Sequence, residues 1–317
     1  MKKIFSTVVL ICAALAAMAQ VRVATPNIEL ILNAEPGQEL QIAYFGGRLA
    51  DGDLANLQAA GAPNHNAYPP YGFNCPSEAS LAVTHMDGNM STVLKVESVA
   101  QTDEPSAKVT RIRLKDTVYP FYVTVCYRAY QDVDMIETWT EIENLEKKPV
   151  TLTRFDSGYL PIRVGDVWVS HLYGTWANEG RLAQEPLERG MMTIKNKDGV
   201  RNAHTDHAEV MFSLDGKPQE NAGRVIGAAL CYSGNYALRI DTRDTDYHQF
   251  FAGINPDNSS YSLASKEVFK TPELALTYSE EGLSGASRNF HRWARNYKIA
   301  HGNKPRKILL NSWEGVY

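Results

Sequence analysis

The segment His171-Leu172-Tyr173-Gly174-Thr175-Trp176-Ala177-Asn178-Glu179 packs aromatic rings, an amide and a carboxylate into nine residues. Sugar sites use this mixture: an aromatic face stacks on the apolar side of a pyranose, while amides and carboxylates bind its hydroxyls. The alternative reading is equally open, with Tyr173 and Trp176 anchoring a long connection to a sheet. Trp313-Glu314 is a pair of the same kind, placed just after the apolar run Ile308-Leu309-Leu310.

Other chemistries find less support. His204-Thr205-Asp206-His207 invites a metal reading, but no third and fourth ligand stand nearby and the spacing is not that of a helical HExxH. A polar hairpin loop is the better reading, and neither a metal nor any other cofactor is implied. There is no GxSxG and no phosphate-cradling glycine loop, so acyl and phosphoryl transfer have no foothold. Gly46-Gly47 lacks the spacing of a dinucleotide fingerprint and reads as a turn. Hydrolysis of a glycoside needs two carboxylates flanking one bond, and composition cannot pick such a pair from 36 acidic residues. Glu137, Glu141 and Glu143 alternate along one stretch, the pattern of a solvated sheet face.

The elements that would position these residues are mostly strands. Period-two alternation runs through Ile28–Leu32, Leu40–Phe45, Val109–Leu114, Phe121–Val125 and Asp134–Asn144. Asp87-Gly88, Asp198-Gly199, Asp215-Gly216 and Ser233-Gly234-Asn235 punctuate the chain as turns. Many strands at short intervals predict an all-β sandwich of two broad packed sheets rather than βαβ units. One helix stands out near the end. Ser284 is its candidate cap, Phe290, Trp293, Ala294 and Tyr297 form an apolar stripe, and Arg288, Arg292, Arg295 and Lys298 form a solvated basic face. Gly302-Asn303-Lys304-Pro305 breaks the helix, and Lys307–Leu310 starts a new strand.

The 317 residues carry a net charge of -4, with 44% hydrophobic and 21% charged residues. Neither disorder nor nucleic-acid binding has compositional support. Lys2 and Lys3, the apolar stretch 4–16 and Ala17-Met18-Ala19 predict a secretory signal peptide over 1–19, cleaved before Gln20. Export into a bacterial periplasm or beyond follows, and no later segment is long enough to span a membrane. Cys75, Cys126 and Cys231 match no metal pattern and read as mostly buried thiols with at most one optional disulfide.

The closing residues Lys307–Tyr317 resemble the start of the catalytic barrel in family 36 glycoside hydrolases, the bacterial α-galactosidases. There a strand ends in Asn-x-Trp-Glu-x-x-Tyr. Tyr173–Glu179 is similar to the family's Tyr-Gly-x-Trp-x-x-Glu segment, and Tyr232–Tyr236 to its Tyr-Ser-Gly-Asn turn. Ala252–Pro256, Phe269–Trp293 and Asp132–Asn144 match in order and spacing, so the resemblance covers roughly residues 25–317. It implies a β-supersandwich over 20–282, a linker helix and loop over 283–304, and the first strand of a (β/α)8 barrel over 305–317. Sites in such barrels lie at the C-terminal ends of the strands. Trp313 and Tyr317 would therefore line the wall around the terminal sugar of an α-galactoside oligosaccharide, with Trp176 a further contact.

In oligomeric relatives a loop of the N-terminal domain can close a neighbour's site. The segment 51–71 with Asp53 is the candidate here, within a homo-oligomer. The family's nucleophile and acid/base lie on later barrel strands that do not occur among these residues, so a partial chain, inactive alone, is the expectation. Where members carry Arg-Gly-x-Ser-Ser-His-Gln-His-Asn, residues 197–210 keep only His204 and His207 as counterparts. The competing readings are a non-catalytic carbohydrate-binding sandwich and a fragment of another exported α-glycosidase.

Overall fold

A computed structural model describes residues 20–59, 65–72, 78–201 and 204–313. The expected alternation becomes three antiparallel sheets. The largest has ten strands, running in order Arg181–Pro186, Trp168–Tyr173, Asp206–Ser213, Val225–Leu230, Leu274–Ser279, Ile136–Asn144, Phe121–Tyr130, Ala107–Asp116 and Leu94–Glu104. Its tenth strand, Val268–Lys270, pairs with Ile136–Asn144. A six-stranded sheet is built on the long strand Val150–Ile162, which pairs with Tyr247–Ile254 on one side and with Tyr261–Leu263 and Leu81–Thr84 on the other; Tyr236–Asp244 lies beyond Tyr247–Ile254. The third sheet has four strands, from Gln20–Ala24 to His65–Asn66. The two large sheets are the sandwich that the sequence implies; the small one was not anticipated.

Period two explains the packing. Phe121, Val123, Val125, Tyr127 and Ala129 all point to one side of their strand and are buried in the main core. The six-stranded sheet contributes side chains such as Phe250 to the same core, its ring meeting Phe212 of the large sheet edge-on, centroids 5.1 Å apart. The sheets come close at Gly158, where an added Cβ would sit 2.8 Å from Thr138 Cγ2 and 2.9 Å from Leu274 Cδ2. No larger residue fits there without moving the sheets apart.

A polar group is buried in the same region. The Asp156 carboxylate accepts from Arg239 Nη2 at 2.5 Å, and Arg239 Nη1 donates to Glu78 at 2.7 Å. Burial pushes the Asp156 carboxyl up to about 6, with Arg239 and Arg154 pulling the other way. The folded chain therefore holds this proton more tightly than the unfolded chain. Below the unfolded value, near 4, the contribution is fully present; as pH rises through about 6 the folded state must carry a buried charge and the contribution is lost. A displacement of this size corresponds to about 3 kcal/mol. Urea denaturation at both ends of that window should show the wild type losing about 3 kcal/mol relative to Asp156→Asn. Parallel curves for the two proteins would contradict this.

The helix spans Gly282–Trp293 and continues as one π-helical turn, Ala294–Lys298. Its apolar stripe packs as expected: Trp293 is buried with Tyr130, Val133 and Met135, and Phe290, Ala294 and Tyr297 lie against them. The cap differs from expectation. The helix starts two residues before Ser284, and the N–H groups of Gly282, Leu283 and Ser284 donate to the carbonyls of Gly223, Gln219 and Glu220. A loop of the sandwich thus satisfies the free helix amides that a serine side chain would otherwise take.

Beyond the helix, residues 305–312 pair with no described strand, and Ile308, Leu309 and Leu310 are exposed. This apolar run has the composition of a barrel strand, but no neighbour among the described residues offers it a ladder or a core. Its extended, exposed state follows.

Candidate functional site

Trp313 stands at the end of that run. Its backbone N–H donates to Asn311 Oδ1 at 3.0 Å, a side-chain turn that presents the indole outward with 71% of its surface exposed. Glu314 and Tyr317 lie outside the described residues. Asp53 sits exposed in the first turn of the helix Asp51–Ala59, which Arg22 ties to the small sheet through Asp51 at 3.3 Å.

Trp176 occupies the tip of the hairpin formed by Trp168–Tyr173 and Arg181–Pro186. The tip is tightly held: Asn178 N–H donates to Thr175 O at 2.9 Å, Gly174 N–H to Thr205 O at 2.8 Å, and Arg181 Nε to Asn178 Oδ1 at 2.7 Å. Glu179 accepts from Ala177 N–H at 3.0 Å, and backbone amides hold its carboxyl below the usual carboxylate range. Trp176 itself is 81% exposed, so it does not anchor the connection to the sheet. Trp176→Ala should change the unfolding free energy by less than about 0.5 kcal/mol. A larger loss in urea denaturation would mean that the ring is buried in solution. Trp313, Asp53 and Trp176 thus occupy three separate elements.

The remaining candidates sort themselves by structure. His207 lies in the strand Asp206–Ser213 rather than in a hairpin loop, with Nδ1 3.5 Å from Glu209. Among the described residues no group of His, Cys, Asp and Glu is arranged to hold a metal. Cys126 is a buried free thiol, pushed up to about 12 by burial. Cys231 is free and exposed, against the expectation of burial, and Cys75 lies outside the described residues.

Two clefts flank the terminal helix. One, of about 630 Å³, is polar and contains Arg48, Asp134, Glu280, Arg288 and Arg292. The other, of about 500 Å³, is mainly apolar, with Leu172, Met211, Leu283, Phe290 and Trp293 along its walls. The basic face of the helix is exposed, as expected: Arg288 pairs with the exposed Glu281 at 2.6 Å, and Arg292 donates to Asn289.

A sandwich leading through one helix to an exposed tryptophan is a recognisable order of parts. The model of the glycosyl hydrolase family 36 N-terminal domain matches residues 38–264, and the melibiase model matches residues 268–317. The chain belongs to glycosyl hydrolase family 36. Its family 36 relatives include the bifunctional alpha-galactosidase/sucrose kinase AgaSK of Mediterraneibacter gnavus, 31% identical over 219 residues. That match spans 68% of this chain and 23% of AgaSK. Alpha-galactosidase AgaA of Geobacillus stearothermophilus is 30% identical over 218 residues, spanning 68% of this chain and 29% of AgaA.

The fold is shared as well. An AgaA variant in complex with stachyose superimposes with a TM-score of 0.86 at 23% identity, over 93% of this chain and 46% of AgaA. The galactosidase domain of AgaSK gives 0.85 at 24% identity, over 96% and 47%. This family 36 chain thus spans less than half the length of the relatives and structures it matches.

A further residue was misjudged from sequence. Glu137 is not on a solvated face: its surface is fully covered, by the terminal helix packing over that part of the sheet. Farther along the same face Trp139 is buried, with Arg128 and Lys270 over its ring, and Glu143 pairs with Arg113 at 2.6 Å. The helix was legible in the sequence; that it would cover Glu137 was not.

Proposed function

We propose that these residues are the N-terminal portion of an exported, retaining α-galactosidase that removes terminal α-galactosyl groups from oligosaccharides. The observation that carries this reading is the pair of successive family matches, the N-terminal domain over 38–264 and melibiase over 268–317, the second containing the helix that leads to Trp313. In a retaining reaction one carboxylate attacks the anomeric carbon while a second protonates the leaving oxygen and later activates water. Residues 20–317 supply the scaffold and part of the sugar wall: Trp313 contributes by stacking on the terminal sugar or excluding water from it, with Tyr317 a further contact. Asp53 and the segment 51–71 that begins with its helix close the site of a neighbouring copy in a homo-oligomer. The signal peptide over 1–19 directs the protein to the periplasm or outside the cell.

The polypeptide made from the complete reading frame should hydrolyse 4-nitrophenyl α-galactoside and leave the β-anomer untouched. Hydrolysis of the β-anomer alone, or of neither, would overturn the proposal. A second reading, a non-catalytic glycan-binding sandwich, is favoured by Trp176, an exposed aromatic on a rigid turn beside Asn178, Glu179 and Arg181. In that case Trp176→Ala would abolish raffinose binding by residues 20–317.

A further inference from the structure

We propose that Glu137 is a positioning residue: its buried carboxylate clamps the π-helical turn Ala294–Lys298 and so sets the direction in which the chain leaves toward Trp313. Four donors from two elements converge on it. Arg128 Nη1 donates to one oxygen at 2.7 Å, and Tyr130 Oη to the other at 3.0 Å, both from the neighbouring strand. Trp293 Nε1 at 3.1 Å and Lys298 Nζ at 2.6 Å reach the same carboxylate from the helix and its last turn.

The donors divide the labour. Trp293 is buried in an apolar cluster that holds the helix body whether or not the carboxylate is present. The turn Ala294–Lys298 contains no buried residue. It is closed by Ile299 N–H donating five residues back to Ala294 O at 2.8 Å, and single π turns of this kind recur at functional sites. The turn is tied down by Lys298 on Glu137, with its ammonium 5.2 Å from the Trp293 ring centroid, by Tyr297, which packs on Tyr130 and donates to Asp132, and by Ala294, which packs on the apolar cluster.

Charge explains why a carboxylate is needed. Two cations, Arg128 and Lys298, meet at Glu137, and Glu104 engages Arg128 from outside at 3.0 Å. Without the charge at position 137, the lysine loses its direct carboxylate partner and keeps only the Trp293 ring and the more distant Glu273 charge, while the arginine keeps Glu104. The consequence for the sugar wall rests on the function proposed above; the clamp itself does not.

Hydrogen exchange of the chain from residue 20 to 317 tests it, since that readout needs no hydrolysis. In Glu137→Gln and in the milder Lys298→Met, the amides of residues 294–299 should exchange about tenfold faster or more. Those of the strand Phe121–Tyr130 should stay within about threefold of wild type. The double variant should be no faster in the turn than Glu137→Gln alone, because both substitutions remove one interaction. Unchanged exchange in the turn would overturn the proposal, as would an equal acceleration in the turn and the strand, which marks a general loss of stability.

Discussion

Residues 20–317 alone are expected to turn over 4-nitrophenyl α-galactoside no faster than buffer. Glycosidases accelerate hydrolysis by many orders of magnitude, about 10⁶-fold at the very least, and the gain depends on paired groups. A retaining site needs two carboxyl groups about 5–5.5 Å apart on either side of the bond. The segment around Trp313 offers nothing of the kind: residues 305–312 are exposed, with no enclosing wall among the described residues. An exposed tryptophan can hold one face of a sugar but cannot attack or protonate it. Continuous release of nitrophenol above the blank would show that nucleophile and acid reside in the sandwich itself.

Phe250→Ala should cost the fold about 4 kcal/mol, within the range for large aromatic truncations in a sealed core. The ring is fully buried and joins the two large sheets through Phe212. Removing it forfeits the transfer of the ring out of water and leaves a cavity that rigid strands on both sides cannot close. With a urea slope of about 3 kcal/mol per molar, the unfolding midpoint should fall by about 1.3 M. Phe250→Leu, which refills most of the volume, should lose only about 1 kcal/mol. Equal losses for the two variants would mean that the cavity term is absent and the sheets can move together.

The reasons for success and failure in reading this chain are physical. Strands such as Phe121–Tyr130 were legible because a sheet with one face in the core imposes period two on its own residues. The stripe from Phe290 to Tyr297 was legible for the same reason at period 3.6. Glu137 was not, since its burial depends on Trp293, 156 residues later, and no local pattern encodes which face a distant helix will cover. Ser284 failed as a cap because the 219–223 loop, equally remote, supplies the carbonyls. The strand expected over 307–310 finds no partner among the described residues, and β structure forms only with one. Trp176 and Trp313 could be picked as site residues by composition. That they stand on separate elements could not be read from it.

The most direct measurement is to read the gene beyond the codon for Tyr317. The account predicts an open frame that continues into a (β/α)8 barrel carrying two aspartates, one on each of two later strands, placed to act as nucleophile and acid/base. A stop codon immediately after Tyr317 would contradict it and leave the sandwich without the chemistry proposed for it.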